Sequence, residues 1–277
     1  MAPLSHSSLR LMEVMGDEDH SLRDVVRIVE SDAVLTAEVL KVVNSAAFGL
    51  RRPVDSLARA ITFLGEKMIV GIAIGSCAPQ VFNQPLDGYE SERGELWAHS
   101  LRTGIAAREL APMARDEVNP DIAFTAGILH DIGKSVLSEF LRGLPREMVQ
   151  SLDRHEVQDY LQTEEAAVGV NHCAAGGELA ENWKLPQPLR AVILHHHKPS
   201  EAEPQYRTLV YVVHLGDLIA MMGGTGTGAD TLLYSLDNNY PEFIDIDKAG
   251  LEKLMMAVMI EFEKTRALIE GGGKENG

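Results

Sequence analysis

Apolar residues recur along most of this chain at three- and four-residue intervals, the period of a helix with one buried face. No run alternates residue by residue as a half-buried strand would. Asp32 stands as a cap before Leu35, Val39, Leu40, Val42 and Val43, and Phe48-Gly49 closes that segment. Pro53 to Leu64 repeats the pattern, with Leu57, Ala60, Ile61 and Leu64 on one face. Glu66 to Phe82 is apolar on nearly every side, which predicts a helix buried on several sides. The polar stretch Asn83 to Gly94, with Pro85 and Gly88, reads as the connection between two helical lobes. Beyond it the pattern predicts helices over Glu95 to Leu110, Pro120 to Lys134, Leu144 to His155 and Thr163 to Trp183. Three more are expected over Gln187 to His196, Leu209 to Met222 and Ile246 to Ile269. Gly223 to Gly228 is a glycine-rich loop, and the tail Gly271 to Gly277 is expected to be disordered. The expectation is therefore all-α and two-lobed: an N-terminal helical lobe over residues 1–90, a second lobe over 91–222, and a loop, helix and tail over 223–277.

Composition narrows the class without changing it. A chain of 277 residues that is 45% hydrophobic can build a core without disulfides, and only 5% aromatic residues favours helices over a β-sandwich. With 25 basic against 41 acidic residues the net charge is −16, which argues against nucleic acid as a partner. Cys77 and Cys173 are too few for a disulfide framework and point to a reducing, cytoplasmic setting. The start, Met1 to Arg10, lacks the charged and apolar regions of a signal peptide. The longest apolar stretch, Met68 to Pro79, is broken by Gly71, Gly75 and Ser76 and is too short to span a bilayer, so no membrane partner is expected.

The chemistry concentrates in the second lobe. His99, His130-Asp131, His172, the run His195-His196-His197 and Asp217 combine imidazole with carboxylate, the donor set that divalent Fe, Mn or Zn takes. Helices of a bundle can bring such groups together from distant parts of a chain. Neighbouring residues on a helix diverge by about 100°. His130 and Asp131 therefore meet a metal from different angles, and the two oxygens of Asp131 suit it to bridging a second ion. Two metals about 3.5–4 Å apart would polarise a phosphoryl group and generate a hydroxide. Lys134, three residues after Asp131, is placed to hold a substrate phosphate, so Asp131 and Lys134 are the catalytic candidates. Gly127 and Gly133 bracket the pair and would let neighbouring helices approach closely. His6, His20, His155 and His214 read as structural.

At these residues the sequence is similar to the HD superfamily of metal-dependent phosphohydrolases, and within it to the HDOD branch, over roughly Leu22 to Ala220. The resemblance rests on Asp32-Ala33-Val34-Leu35-Thr36-Ala37-Glu38-Val39-Leu40, Val43-Asn44-Ser45-Ala46-Ala47-Phe48-Gly49 and Ser56 to Gly65. Trp97 to Ser100, Ala126 to Lys134 and the histidines before Pro199 complete it. It implies an all-helical fold and a role in bacterial signalling and regulation. Similarity to the HD-GYP phosphodiesterases implies a first metal held by His99, His130, Asp131 and Asp217. It implies a second held by bridging Asp131 with His172, His195 and His196. The run-in Ala191-Val192-Ile193-Leu194 favours His195-His196 as the ligand pair, while the spacing to Pro199 favours His196-His197. The Gly-Tyr-Pro element of the HD-GYP enzymes is absent, since His197-Lys198-Pro199-Ser200-Glu201-Ala202 stands there, which argues against cyclic dinucleotide hydrolysis. The expected function is regulatory, through a signalling protein partner. The alternative is an active metal-dependent phosphohydrolase or phosphodiesterase on a nucleotide or cyclic nucleotide, with a phosphorylated small molecule as its partner.

Overall fold

The computed structural model describes residues 57–64, 84–154, 159–182 and 185–271, together with isolated positions between 24 and 54. The expected helix over Glu66 to Phe82, Asn44 and Ser45 of the family resemblance, His155 and residues 272–277 of the tail lie outside the described residues. The fold is all-α. Its only β pairings among the described residues are two isolated bridges, Leu86 with Ser91 and Ala114 with Ile244. Among those residues no helix is long and apolar enough to cross a membrane.

Helix α1 (Leu57–Leu64) buries Ala60 and Ile61 and exposes Arg59 and Thr62, the division its apolar face predicts. Helix α2 (Glu95–Leu110) follows Gly94, whose φ of 87° turns the chain into the helix. Glu95 in its first turn and Arg108 in its last complement the helix dipole. It is the central rod of the lobe. Helix α3 (Pro120–Leu129) and α9 (Pro204–Met222) pack along it, and α10 (Lys248–Gly271) crosses it. Between these run α4 (Lys134–Leu141), α5 (Pro145–Asp153), α6 (Tyr160–Val168), α7 (His172–Asn182) and α8 (Gln187–His195). Helix α8 lies against α3, α7 and α9, and α4 against α7. Helix α10 begins where the Asp247 carboxylate accepts the Gly250 N–H at 2.7 Å, an N-cap.

Two expected helices are broken, and both breaks place chemistry. The helix expected through Lys134 stops at Leu129. The next four residues form a turn held by i→i+3 bonds, Ile132 N–H to Leu129 O and Lys134 N–H to Asp131 O. That tighter winding swings both His130 and Asp131 inward, where they are fully buried. The helix expected over Thr163 to Trp183 is two, α6 and α7, separated at Gly169. Its φ of 83° is the left-handed conformation that ends α6, and the Asn171 side chain caps α7 by accepting from Ala174 N–H. His172 thereby opens a helix instead of sitting within one.

Close backbone approach sets the remaining geometry. A Cβ on Gly127 would lie 2.7 Å from the Cα of Gly104, so α3 can reach α2 only because both positions lack side chains. A Cβ on Gly133 would lie 1.9 Å from the carbonyl oxygen of His172, which seats the turn after α3 against the start of α7. These two contacts bring His130 and Asp131 to their partners.

Candidate metal centre

Four helices and one turn converge on a single buried point. His99 comes from α2, His130 and Asp131 from the turn after α3, His172 from the start of α7, His196 from the end of α8, and Asp217 from α9. Each is less than a twentieth exposed.

The imidazoles share one orientation. His99 Nδ1–H donates to Thr225 O at 2.8 Å and His130 Nδ1–H to Gly127 O at 2.7 Å. His196 Nδ1–H donates to Ile193 O at 3.1 Å. His172 Nδ1–H donates to the Glu164 carboxylate at 2.9 Å, which also accepts the His172 backbone N–H and the Tyr89 hydroxyl, each at 2.8 Å. A carbonyl oxygen can only accept, so in the neutral rings Nδ1 carries the hydrogen and Nε2 presents a lone pair. All four lone pairs then face inward.

They meet one another and the carboxylates in two groups. Around the first, His99 Nε2 lies 3.2 Å from His130 Nε2 and 3.0 Å from Asp217 Oδ1. Asp131 Oδ2 is 3.5 Å from both Nε2 atoms. In the second, His172 Nε2, His196 Nε2 and Asp131 Oδ1 are separated by 3.3 to 3.4 Å. Ligands at about 2.0–2.2 Å from a zinc-type ion stand roughly 3–3.5 Å apart across it. The donor atoms thus have the spacing of two coordination shells that share Asp131. Asp131 Oδ2 is paired with the Lys134 ammonium at 2.7 Å, whereas its Oδ1 has no hydrogen bond of good geometry, which is unusual for a buried carboxylate and fits an atom facing a cation. The Nδ1 anchors are the outer hydrogen bonds that orient metal-binding histidines.

Electrostatics point the same way. Burial opposes charge on Asp131, but Lys134 and the histidines hold its carboxyl well below the usual range. Burial likewise opposes charge on Asp217, and hydrogen bonds to His130 and His99 hold it low. Against the penalty of burial, Asp217 raises the His99 pKa, and Cys173 and Asp131 raise that of His196. The pocket attracts positive charge, as protons or as metal ions.

Lys134 is not free for a phosphate. It is 2% exposed, and its ammonium is 2.7 Å from Asp131 Oδ2, 2.7 Å from Asp230 Oδ2 and 2.8 Å from Thr227 Oγ1. Those acceptors engage all three of its protons. Asp230 also accepts from Thr227 Oγ1 and the Tyr234 hydroxyl. His195 stands apart from the cluster. It ends α8 half-buried, near Glu201 and Glu203, while His196, one turn beyond fully buried Val192, turns inward. His197 is inside the cluster as well, stacked on Tyr234 with ring centres 3.8 Å apart. Of the two pairings the sequence allows, the structure brings together His196 and His197.

Glu164, Thr227, Asp230, Tyr89 and Tyr234 escape sequence reasoning. None adjoins a histidine, and only their chain neighbours, the glycine-rich loop above all, hint at a folded-back segment.

His214 is structural, as expected. Its Nδ1–H donates to His196 O at 2.7 Å, and its Nε2 accepts the Asp237 N–H at 3.0 Å, so a second proton would break that bond. Burial lowers its pKa. A base depressed in the folded state loses stability as pH falls below its ordinary value of about 6.5, because the unfolded chain takes the proton first. Urea unfolding between neutral and acid pH is expected to show this slope, and His214→Asn to reduce it by up to about 1.4 kcal/mol per pH unit. An unchanged slope would assign the titration elsewhere.

Residues 1–199 match the HDOD domain. A protein of Treponema pallidum (strain Nichols), described only as uncharacterized, is 27% identical over 214 residues, 76% of this chain but 40% of its own length. A crystal structure of a candidate phosphohydrolase from Shewanella amazonensis SB2B has a TM-score of 0.69 at 25% identity, with 97% of this chain and 95% of that one covered. A candidate signal transduction protein from Marinobacter aquaeolei VT8 has a TM-score of 0.71 at 21% identity, covering 97% of this chain and 59% of that one.

Proposed function

Because this chain belongs to the HDOD domain family, we propose that it is a cytoplasmic signalling protein whose buried metal centre organises the second lobe and whose output passes through a protein partner. The observation that carries this reading is the convergence of four Nε2 lone pairs and two carboxylates at metal-ligand spacing. His99, His130, Asp131 and Asp217 would hold one divalent ion, and Asp131, His172 and His196 a second, of the Fe, Mn or Zn type. Such ions would supply Lewis-acid strength and bind five segments of chain to one point.

The internal use of Lys134 supports regulation over catalysis. Lys134 would be the side chain to hold a substrate phosphate, and here its ammonium is spent between Asp131 and Asp230. A partner has somewhere to dock, since Met256, Met259 and Ile260 lie at helical spacing on α10 and are exposed. The net charge of −16 argues against nucleic acid as the partner.

A second reading, an active phosphohydrolase on a phosphorylated small molecule, is favoured by Asp131 itself. A carboxylate shared by two positions is what a two-metal hydrolytic site requires. The likeness to the Shewanella structure supports it too. Metal analysis of protein purified without added metal, followed by assays on phosphodiester and nucleotide substrates with Mn or Fe, separates the two. The regulatory reading expects bound metal and no turnover. Turnover abolished by His130→Ala would establish the enzyme instead, and metal-free protein would overturn both.

A further inference from the structure

Beside the second group of donors lies a sulfur atom that neither metal position above uses. Cys173 follows His172 at the start of α7 and is 4% exposed. Its Sγ lies 3.6 Å from His172 Nε2 and sits beside the His196 ring, 3.8 Å from Nδ1 and 3.9 Å from Nε2. A thiolate about 2.3 Å and an imidazole about 2.0–2.1 Å from one tetrahedral zinc-type ion are roughly 3.6 Å apart. The sulfur therefore stands where a further ligand would.

A second observation is independent of the thiol. His197 is 8% exposed, its Nε2 is buried without a hydrogen-bond partner, and a ring nitrogen lies within 4.8 Å of donor atoms on His172, Cys173 and His196. A buried ring nitrogen without a donor or acceptor is costly unless something occupies the space before it.

We propose that Cys173 supplies a thiolate to the second metal position, beside His172, His196 and His197. This position then takes a borderline-soft cation of the zinc type, while the first, built of imidazole and carboxylate, takes a harder one. The inference rests on the metal-centre reading above and makes the two positions chemically unlike. Sulfur selects for softness, and carboxylate for hardness. As the sulfur–metal bond forms, the thiol proton leaves to solvent.

Cobalt(II) substitution tests this without reference to activity. The full-length chain is stripped with a chelator, loaded with cobalt(II), and read by absorption and metal analysis. A thiolate-to-cobalt charge-transfer band in the near ultraviolet is expected. It should be lost in Cys173→Ser and kept in Cys77→Ser. Cys173→Ser is further expected to weaken zinc retention roughly tenfold or more and to leave manganese retention unchanged. Circular dichroism confirms that the variant is folded, and the band in the unsubstituted chain decides the matter if it is not. Cobalt bound with visible ligand-field bands but no charge-transfer band would overturn the thiolate assignment and leave the metal centre standing. A band lost with Cys77 would also overturn it. A chain that binds no cobalt would remove the metal centre and this proposal together.

Discussion

Asp131→Ala is expected to yield a chain that retains neither metal ion, whereas His172→Ala keeps one. Among the described residues Asp131 is the donor that faces both groups, Oδ2 toward His99 and His130, and Oδ1 toward His172 and His196. Removing it takes one donor from each shell. Removing His172 touches the second alone. An ion held at a free concentration of about 100 times its Kd adds about 2.7 kcal/mol to folding stability. Loss of both therefore costs on the order of 5 kcal/mol and should show as a large fall in the urea midpoint. Elemental analysis and urea unfolding of the two variants, side by side, check it. If Asp131→Ala keeps the metal content of the parent chain, the bridging role is wrong.

The second large effect is expected at Lys134. Lys134→Met leaves Asp230, fully buried, with the hydroxyls of Thr227 and Tyr234 but no cation. Breaking one side of a buried ion pair costs about 3–5 kcal/mol. The double variant Lys134→Met with Asp230→Asn should recover much of that loss, because the stranded charge goes too. Burial opposes charge on Lys134, yet Asp131 and Asp230 raise its pKa. Its contribution is therefore fully present below the ordinary lysine value of about 10.4 and is lost only as pH climbs beyond it. A lysine reserved for substrate phosphate would give the opposite result: stability unchanged in Lys134→Met, with turnover alone affected.

The sequence was most informative where one physical signal acted alone. Helix α2 runs from Glu95 to Leu110 as its period predicts, because glycine, acid and base mark its two ends. The turn at His130-Asp131 was invisible, since Leu129 and Ile132 continue the apolar period while the hydrogen bonds tighten from i→i+4 to i→i+3. Gly169 was readable as a break in principle, but the apolar positions on either side of it stay in phase. Three consecutive histidines carry no information on which one faces inward. That depends on where α8 ends, one residue before His196. Glu164 and Asp230 were beyond reach for a different reason. Their importance comes from His172 and Lys134, 8 and 96 residues away along the chain (172 − 164 and 230 − 134), and only folding creates the relation.

The segment after α9 has a role that its glycine-rich composition conceals. Thr225 fixes the ring of His99, Thr227 and Asp230 hold Lys134, and Tyr234 covers His197. The HDOD match stops at residue 199, and a natural place to cut would be the end of α9 at Met222. Either cut would leave Lys134 with Asp131 alone of its three acceptors and remove the Thr225 carbonyl that holds His99 Nδ1. A piece that keeps all of these contacts therefore extends at least through Tyr234, some way past where family boundaries would have it trimmed.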